Sequence, residues 1–546
     1  MTTHPPRKDS VSLAPNSPPD SNQIPVLGRL MRGTFWLALK TPIQMVIALW
    51  QVPLTQAYIG TAANGAYFYA WNFGFIQFLL EFGMGSALQK QVVDTWTRGD
   101  REGFDRALAC GMKFYAWLAA IQMACLLAIA YVVLPYTKFR GDTLVIQVLW
   151  IQILTAPFFG ASTVVGSVLQ AARRYEFIPR LELVVVVLRF AILGAGIWFR
   201  VPFIWIVAAQ VAAQIGLSFG PAAWVMVVEL GIVPRFRRTS WSDFAPMLHI
   251  SLYMALMQLS VVLADKVDTT ILGFALPDAK QAGPMLTVYQ NVSKPFMQIR
   301  QMGWTLAYLV MPAVVSLAVA KDRESLDRIK YDGTRLLIAM LLPISLLAGL
   351  YAAPFLTLWV GVEFAKDAGM MQLFLVATLP LMLSVLVQMA IGMGKIKVVA
   401  LSALAGALVN LPLSYVLTRR MGVVGVIWGT VLTTLFSNLL VPGLYVGRVL
   451  EIRPAMFFRR TLGPPLAGAL ALVVATWAFR SAWPPDPAGI GRLARALPLL
   501  ANLSVGCLAY AIGYGATAAG RADYAALCRK LCGRRAPRPS AVPLGS

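Results

Sequence analysis

Fourteen long apolar stretches, separated by short loops, constrain this chain more than any other feature. The hydrocarbon core of a bilayer is ~30 Å thick, and a helix needs about 20 apolar residues to cross it. Backbone groups in lipid must be satisfied within the spanning segment, and these stretches are too long and too uniformly apolar for barrel strands. The sequence therefore predicts an all-α polytopic membrane protein. Its predicted crossings are residues 35–58, 66–88, 112–136, 144–169, 181–198, 202–230, 247–272, 286–319, 336–360, 370–393, 398–417, 423–446, 462–479 and 497–518.

The net charge of +23 is a topology signal in this chain. In a soluble protein such a charge would suggest a nucleic-acid partner, but here the basic residues cluster at the ends of apolar stretches. The five cysteines form no pattern with histidine that a metal site would need. We therefore expect no nucleic-acid partner, no metal and no cofactor.

The loop charges predict the orientation. Of the 47 Lys and Arg residues, 33 lie in the tails and on alternate loops, against ten on the other loops. Because Lys and Arg concentrate in cytoplasmic loops, both termini are predicted to be cytoplasmic, which requires an even number of crossings. The chain is expected to be a multi-pass protein of the bacterial inner membrane.

A weak internal repeat relates the first six crossings to the next six. Tyr69-Ala-Trp-Asn72 matches Val288-Tyr-Gln-Asn291, and Gln170-Ala-Ala matches Gln388-Met-Ala, although two hydrophobic halves can also look alike through composition alone. Units of six crossings would form two parallel bundles in pseudo-twofold repeat, with a cavity between them. The predicted domains are a disordered tail at residues 1–34, bundles at 35–230 and 244–450, two additional helices at 461–518 and a basic tail at 519–546.

Several short motifs, in this order along the chain, resemble one family. They are Leu80-Glu-Phe-Gly-Met-Gly-Ser-Ala-Leu-Gln-Lys90, Val168-Leu-Gln-Ala-Ala-Arg173, the stretch from Asp265 to Gly273, Leu358-Trp-Val-Gly361 and Met421-Gly-Val-Val-Gly425. Together they resemble the polysaccharide and O-antigen (Wzx-type) flippases of the multidrug/oligosaccharidyl-lipid/polysaccharide exporter superfamily. The resemblance implies transport of a polyprenyl-pyrophosphate-linked oligosaccharide, with membrane lipids and the polysaccharide polymerase machinery as further partners.

The eighth crossing supplies the best candidate for a cavity wall. Gln290, Lys294, Gln298 and Gln301 fall within about 80° of one another on a helix that turns 100° per residue. Lys294 is a candidate point charge for a phosphate, and Arg189 and Arg300 are candidates with a bidentate donor fork. Two structural alternatives are open: Arg300 could pair with Glu81, and Arg189 could extend toward cytoplasmic headgroups.

Three acidic residues are candidates for carrying a coupling proton or sodium ion. Asp265 and Asp268 lie within one turn of the seventh crossing, beside Lys266, and Glu81 lies in the second crossing. A desolvated carboxylate has a raised pKa and can load and release a proton. The alternative is a cluster that is simply solvated near the outer end of its helix.

A membrane enzyme is the main alternative of another class. The loop at residues 59–65 has no carboxylate that could bind a metal or act as a base, and the chain has only two histidines. We therefore predict that the protein is not an enzyme. Among transporters, a multidrug/cation antiporter and a lipid II flippase of the same superfamily are the alternatives.

Overall fold

Helices make up almost all of the chain that the structure describes, and no strand occurs in that part. The computed structural model describes residues 23–172, 174, 176–233, 244, 259–260, 262–263, 266–276, 278–308, 310, 314, 317, 321–483 and 492–531. In chain order its helices are α1 Gln23–Asn72, α2 Phe75–Glu81, α3 Met84–Arg98, α4 Arg101–Ala128, α5 Thr143–Ala171, α6 Phe177–Trp198, α7 Phe203–Trp224, α8 Ala279–Tyr308, α9 Arg323–Arg328, α10 Thr334–Leu350, α11 Ala352–Trp359, α12 Ala368–Val376, α13 Ser384–Gly392, α14 Lys397–Met421, α15 Val423–Thr434, α16 Val441–Val449, α17 Pro454–Phe457, α18 Gly463–Ala482, α19 Arg492–Gly515 and α20 Ala518–Leu531. Residues 266–275 are also helical. The all-helical prediction is confirmed for the described residues.

Helix α1 extends over 50 residues and contains a kink at Gly60, whose φ of 80° and ψ of 166° are not helical. Glycine adopts this conformation readily because it has no Cβ. The sequence predicted a loop at residues 59–65 between the first two crossings. The structure replaces that loop with a break at one residue, so the second half of α1 begins earlier than predicted.

Ten helical stretches in the described part of the chain are long and apolar enough to cross a membrane. Large apolar side chains on them are exposed, including Trp117, Leu470 and Trp477, as expected of surfaces that face lipid. These ten do not include the predicted crossings at 35–58, 66–88, 247–272 and 286–319, of which the last two run partly outside the described residues, so the count of fourteen stays a prediction. The ten stretches are Arg101–Tyr136, Thr143–Ala171, Phe177–Trp198, Phe203–Glu229, Arg323–Leu350, Val362–Gly392, Lys397–Met421, Val423–Val449, Pro454–Ala482 and Arg495–Gly515.

The chain forms two compact units. The first comprises the described residues of Met1–Asn291 together with Ala403–Thr433. Its core lies where α3, α4 and α5 meet, and includes Leu88, Phe104 and Val168. The contacts between α6 and α7 and between α1 and α6 extend this unit.

The second unit comprises the described residues of Val292–Ser402 and Thr434–Ser546. Its core joins α10 to α18 and α19 through Leu347, Leu472 and Tyr514. Arg335 at the start of α10 ties the C-terminal helix α20 to this core, because its guanidinium bonds the Asp523 carboxylate at 2.7 Å. The predicted division into bundles of residues 35–230 and 244–450 stays a prediction.

Candidate functional site

A polar cavity of about 280 Å³ lies within the first unit, between the α2–α3 junction and α5. One wall is a single face of α5, because its four lining residues follow the helical i, i+3, i+4, i+7 spacing. The other wall is the end of α2 and the first two turns of α3. The lining residues are Glu81, Gly85, Ser86, Gln89, Thr163, Gly166, Ser167 and Gln170.

The α2–α3 junction places Glu81 and the first turn of α3 against this cavity. Phe82 (φ 48°) and Gly83 (φ 70°) are consecutive left-handed residues that end one helix and begin the next. Glycine tolerates this conformation, whereas a residue with a Cβ adopts it at a cost of roughly 1–2 kcal/mol. The first N–H groups of α3 have no acceptor within their own helix, so the junction directs hydrogen-bond donors as well as a carboxylate to the same region.

Hydrogen bonds within the cavity fix several of its side chains. The Tyr115 hydroxyl, on the buried face of α4, donates to Glu81 Oε1 at 2.6 Å. Gln89 Nε2 donates to Gln170 Oε1 across the cavity. The position of Glu81 depends on Gly85, because a Cβ there would lie 2.6 Å from Glu81 Oε1. The structure therefore gives Glu81 a tyrosine partner within its own unit.

The first part of α8 belongs to the first unit and is hydrogen-bonded to α1. Asn64 Nδ2 donates to Gln290 Oε1 at 2.8 Å and to Thr287 Oγ1 at 3.1 Å. The next residue, the buried Asn291, donates to Gln56 Oε1 at 3.1 Å. These contacts form a buried polar seam between α1 and α8, which we call the α1–α8 seam. Of the predicted polar stripe, Gln290 contributes to it.

The other predicted stripe residues lie on the part of α8 that belongs to the second unit. Lys294 and Gln298 are half-buried, and Gln301 is exposed. The half-buried Arg300 guanidinium lies 5.4 Å from the centroid of the Phe296 ring, which is a cation–π distance. Lys294 and Arg300 are therefore both half-buried on α8, and their binding of a phosphate stays a prediction.

Arg189 is half-buried on α6 and bonds to α7. Its Nη1 donates to Gln214 Oε1 at 2.9 Å, and its backbone carbonyl accepts from Gln210 Nε2 at 2.8 Å. Tyr67 of α1 lies within electrostatic reach of the guanidinium. Because Tyr67 and Asn64 lie one turn apart on α1, the structure brings Arg189 and Gln290 to the same stretch of that helix.

Asp268 is the most deeply buried of the predicted site residues, with 1% of its surface exposed. Its Oδ2 accepts from the Tyr289 hydroxyl at 2.9 Å and from Thr430 Oγ1 at 2.6 Å, and its Oδ1 accepts from Asn410 Nδ2 at 3.4 Å. The neighbouring Lys266 is exposed, and Asp265 lies outside the described residues. Asp268 is therefore held by three donors from other helices and does not face solvent.

Sequence reasoning missed most of the partners of these residues. Tyr115 and Thr430 carry no pattern that connects them to Glu81 or Asp268, since they lie on other helices. The α5 wall did carry a signal, because Thr163, Gly166, Ser167 and Gln170 follow one helical face. From the sequence, Gln170 was recognised only as part of a motif.

Comparison with known proteins identifies a family for this chain. A family model described as "Polysaccharide biosynthesis protein" matches residues 30–303, which is half of the chain. The uncharacterized membrane protein EpsK of Bacillus subtilis (strain 168) is 24% identical over 329 residues, covering 58% of this chain. The aligned part spans 61% of the length of EpsK.

Two solved structures show the same fold. Lipid II flippase MurJ in an inward closed conformation has a TM-score of 0.66 at 14% identity, covering 90% of this chain and 99% of MurJ. An inward-facing multidrug resistance MATE family transporter of the MOP superfamily has a TM-score of 0.60 at 14% identity, covering 76% of this chain and 94% of the transporter. This multi-pass membrane protein therefore shares the fold of these two structures.

Proposed function

Because the chain belongs to the polysaccharide biosynthesis protein family, we propose that it is a flippase that moves a polyprenyl-pyrophosphate-linked oligosaccharide across the bacterial inner membrane. The family match over residues 30–303 is the observation that carries this proposal. In this proposal the protein works by alternating access, without covalent chemistry, and both termini lie in the cytoplasm.

The physical demand on such a transporter is the transfer of hydrated groups through hydrocarbon. A hydroxyl or amide that leaves water without a new hydrogen bond costs roughly 2–7 kcal/mol, and an isolated charge costs far more. An oligosaccharide carries many hydroxyls, and its pyrophosphate link is anionic. The protein must therefore offer polar and positively charged groups where lipid offers none.

Three basic residues in apolar helices are suited to the pyrophosphate. Lys294 and Arg300 lie on α8, and Arg189 lies on α6. A basic residue near a helix centre costs ~2.5–3.5 kcal/mol to insert, so its retention there suggests a function. In our proposal Lys294 and Arg300 contact the diphosphate, and the amides of Gln290, Gln298 and Gln301 assist. Arg189 acts as a second contact, positioned by its bond to Gln214.

Coupling to an ion gradient is assigned to Asp268, with Asp265 and Glu81 as the other candidates. Asp268 is surrounded by the hydroxyls of Tyr289 and Thr430. A buried carboxylate with hydroxyl neighbours has the oxygen donor set that sodium accepts, and it can also take up a proton. Asp268→Asn should abolish gradient-dependent transport, and Thr430→Val should lower it while leaving protein abundance unchanged. Transport by Asp268→Asn at the wild-type rate would refute this assignment.

Complementation tests the substrate class. The gene should restore surface glycan in a bacterial strain that lacks its own O-antigen or exopolysaccharide flippase. Restored resistance to cationic drugs without surface glycan would favour the multidrug/cation antiporter instead.

Matched variants of α8 test the role of its positive charge. Lys294→Ala and Arg300→Ala should lower glycan export at least ~10-fold, which corresponds to the loss of one charged hydrogen bond. Lys294→Arg should retain much of the activity, because it keeps the charge. Lys280→Ala is the control, since Lys280 is exposed at the start of the same helix. Loss of membrane abundance in parallel with export would assign the two residues to structure.

Lipid II is the second candidate substrate. The likeness to MurJ extends over 90% of the chain. Survival of a strain depleted of its own lipid II flippase, when this gene is expressed, would favour lipid II. Restoration of surface glycan without survival of that strain would favour the oligosaccharide.

A further inference from the structure

The cavity between α3 and α5 lies close to basic residues that the loop charges assign to the cytoplasmic side. Gln89 on α3 is followed by Lys90, and Gln170 on α5 lies just before Arg173 and Arg174. Under the positive-inside rule these basic residues belong to the cytoplasmic side. Ser86 and Gln89 are exposed, so the cavity is accessible from outside the protein interior.

The lining of this cavity offers both hydrogen-bond donors and hydrogen-bond acceptors to a ligand. Gln89 and Gln170 use one donor and one acceptor to bond each other, so both amides retain further polar groups for a ligand. The Ser167 hydroxyl donates to the Thr163 carbonyl at 2.9 Å, which leaves its oxygen lone pairs as acceptors. The first turn of α3 adds backbone donors.

The charge and the volume of the cavity restrict the class of ligand that it can bind. Seven of the eight lining residues are uncharged, and the Glu81 carboxylate would repel a diphosphate. Tyr115 already donates to Glu81, which reduces the attraction of that carboxylate for a cation. A volume of about 280 Å³ is near the lower limit for small-molecule pockets, and it suits one ring-sized polar group.

We propose that this cavity is a binding subsite for one uncharged sugar residue of the lipid-linked headgroup, at the cytoplasmic side of the first unit. The inference rests on the proposed function and deepens it, because it assigns sugar recognition to residues other than those assigned to the pyrophosphate. Glu81 acts here as a hydrogen-bond acceptor for a sugar hydroxyl. The amides of Gln89 and Gln170 bond further hydroxyls.

Binding of simple probes to the purified full-length protein in nanodiscs tests this inference. Saturation-transfer NMR would be recorded with methyl glycosides of glucose, galactose and N-acetylglucosamine, and separately with inorganic pyrophosphate and tetraphenylphosphonium. Wild-type protein should transfer saturation to at least one glycoside. Gln89→Leu and Gln170→Leu should each weaken glycoside binding by about tenfold and leave pyrophosphate binding unchanged.

One variant is a control for folding, and a second keeps the hydrogen-bond acceptor at position 81. Gln147→Leu, at an exposed position of α5 outside the cavity, should bind the glycoside as wild type does. Glu81→Gln should retain glycoside binding within a few-fold, because the amide oxygen still accepts a hydrogen bond.

Several results would overturn the subsite. The first is that wild type transfers saturation to none of the glycosides. The second is that both cavity variants bind the glycosides as well as wild type does, and the third is that tetraphenylphosphonium binds and its binding is lost with Gln89→Leu. Loss of glycoside binding in Glu81→Gln would overturn the role of Glu81 as a hydrogen-bond acceptor for the sugar. Loss of pyrophosphate binding in Lys294→Ala with unchanged glycoside binding separates this inference from the pyrophosphate assignment, since each can fail without the other.

Discussion

Substitution of Gly65 by alanine should force α1 and α8 apart. A Cβ at Gly65 would lie 2.6 Å from the carbonyl carbon of Gly283 and 2.8 Å from its Cα, and closer still to its carbonyl oxygen. Ordinary carbon–carbon contacts are about 3.5–4.0 Å, so the helices must separate by roughly 1 Å. The obstruction is backbone, which cannot rotate away as a flexible side chain can.

The expected loss of stability follows from the hydrogen bonds beside this close approach of α1 and α8. Three interhelical hydrogen bonds of the seam would lengthen, namely Asn64–Gln290 at 2.8 Å, Asn64–Thr287 at 3.1 Å and Asn291–Gln56 at 3.1 Å. Such bonds average ~0.6 kcal/mol in membranes, and overpacking adds roughly 1–3 kcal/mol. Alanine has a higher helix propensity than glycine, which offsets about 1 kcal/mol of this loss. The expected loss in the free energy of unfolding is therefore about 2–4 kcal/mol.

Unfolding of the purified protein in detergent, followed by circular dichroism, measures this loss. Gly216→Ala is the matched control, because Gly216 lies within α7 and a Cβ there meets nothing within 4 Å. The control should be unchanged or more stable by up to ~1 kcal/mol. If Gly65→Ala unfolds at the same midpoint as Gly216→Ala, the close approach of the two backbones is refuted.

Three further substitutions address single contacts. Arg335→Ala should lower the free energy of unfolding by about 3–5 kcal/mol, because this buried guanidinium bonds two carboxylates. Substitution of the exposed Arg328 by alanine should change the free energy of unfolding by less than about 0.5 kcal/mol, and equal effects of the two substitutions would contradict a buried network. Tyr115→Phe should cost about 1–2 kcal/mol in the same measurement, since it removes the donor to its carboxylate partner in the cavity, and an unchanged midpoint would show that this bond is not formed. Gln214→Leu should lower glycan export and leave protein abundance unchanged if Arg189 needs this partner for its position, and wild-type export would assign Gln214 no such role.

The apolar stretches were sufficient to predict an all-helical membrane protein, because hydrocarbon leaves no other use for segments of that length. They were not sufficient to predict where helices break. Gly60 interrupts α1 at one residue, and Phe82 with Gly83 separates α2 from α3 inside a predicted crossing. Such breaks are set by local backbone conformation, to which hydropathy is insensitive.

The sequence identified polar residues within apolar helices but could not assign their partners. The sequence left a pair between Glu81 and Arg300 open and did not indicate Tyr115, which lies 34 residues further along the chain on α4 and donates to Glu81. The sequence left open that Asp268 is exposed to solvent. In the structure Asp268 is buried, and one of its hydrogen-bond donors is Thr430, which lies 162 residues away. A partner on another helix leaves no periodic signal, since spacing reports only which residues share one face.

The polar groups of the α1–α8 seam and those of the cavity lie in different surroundings. In the seam, the side-chain nitrogens of Asn64 and Asn291 are buried and donate to the facing helix, so part of the cost of their burial is offset within the protein, while their Oδ1 atoms have no hydrogen-bond partner among the described residues. In the cavity, Gln89 is exposed and bonds Gln170, and Phe82 holds a strained left-handed conformation beside it. Strained backbone of this kind clusters at sites that bind ligands. Substitutions of Asn64 and Asn291 should therefore lower protein abundance, whereas substitutions in the cavity should lower transport at unchanged abundance. The reverse pattern would mean that the cavity is a packing defect and that recognition takes place elsewhere.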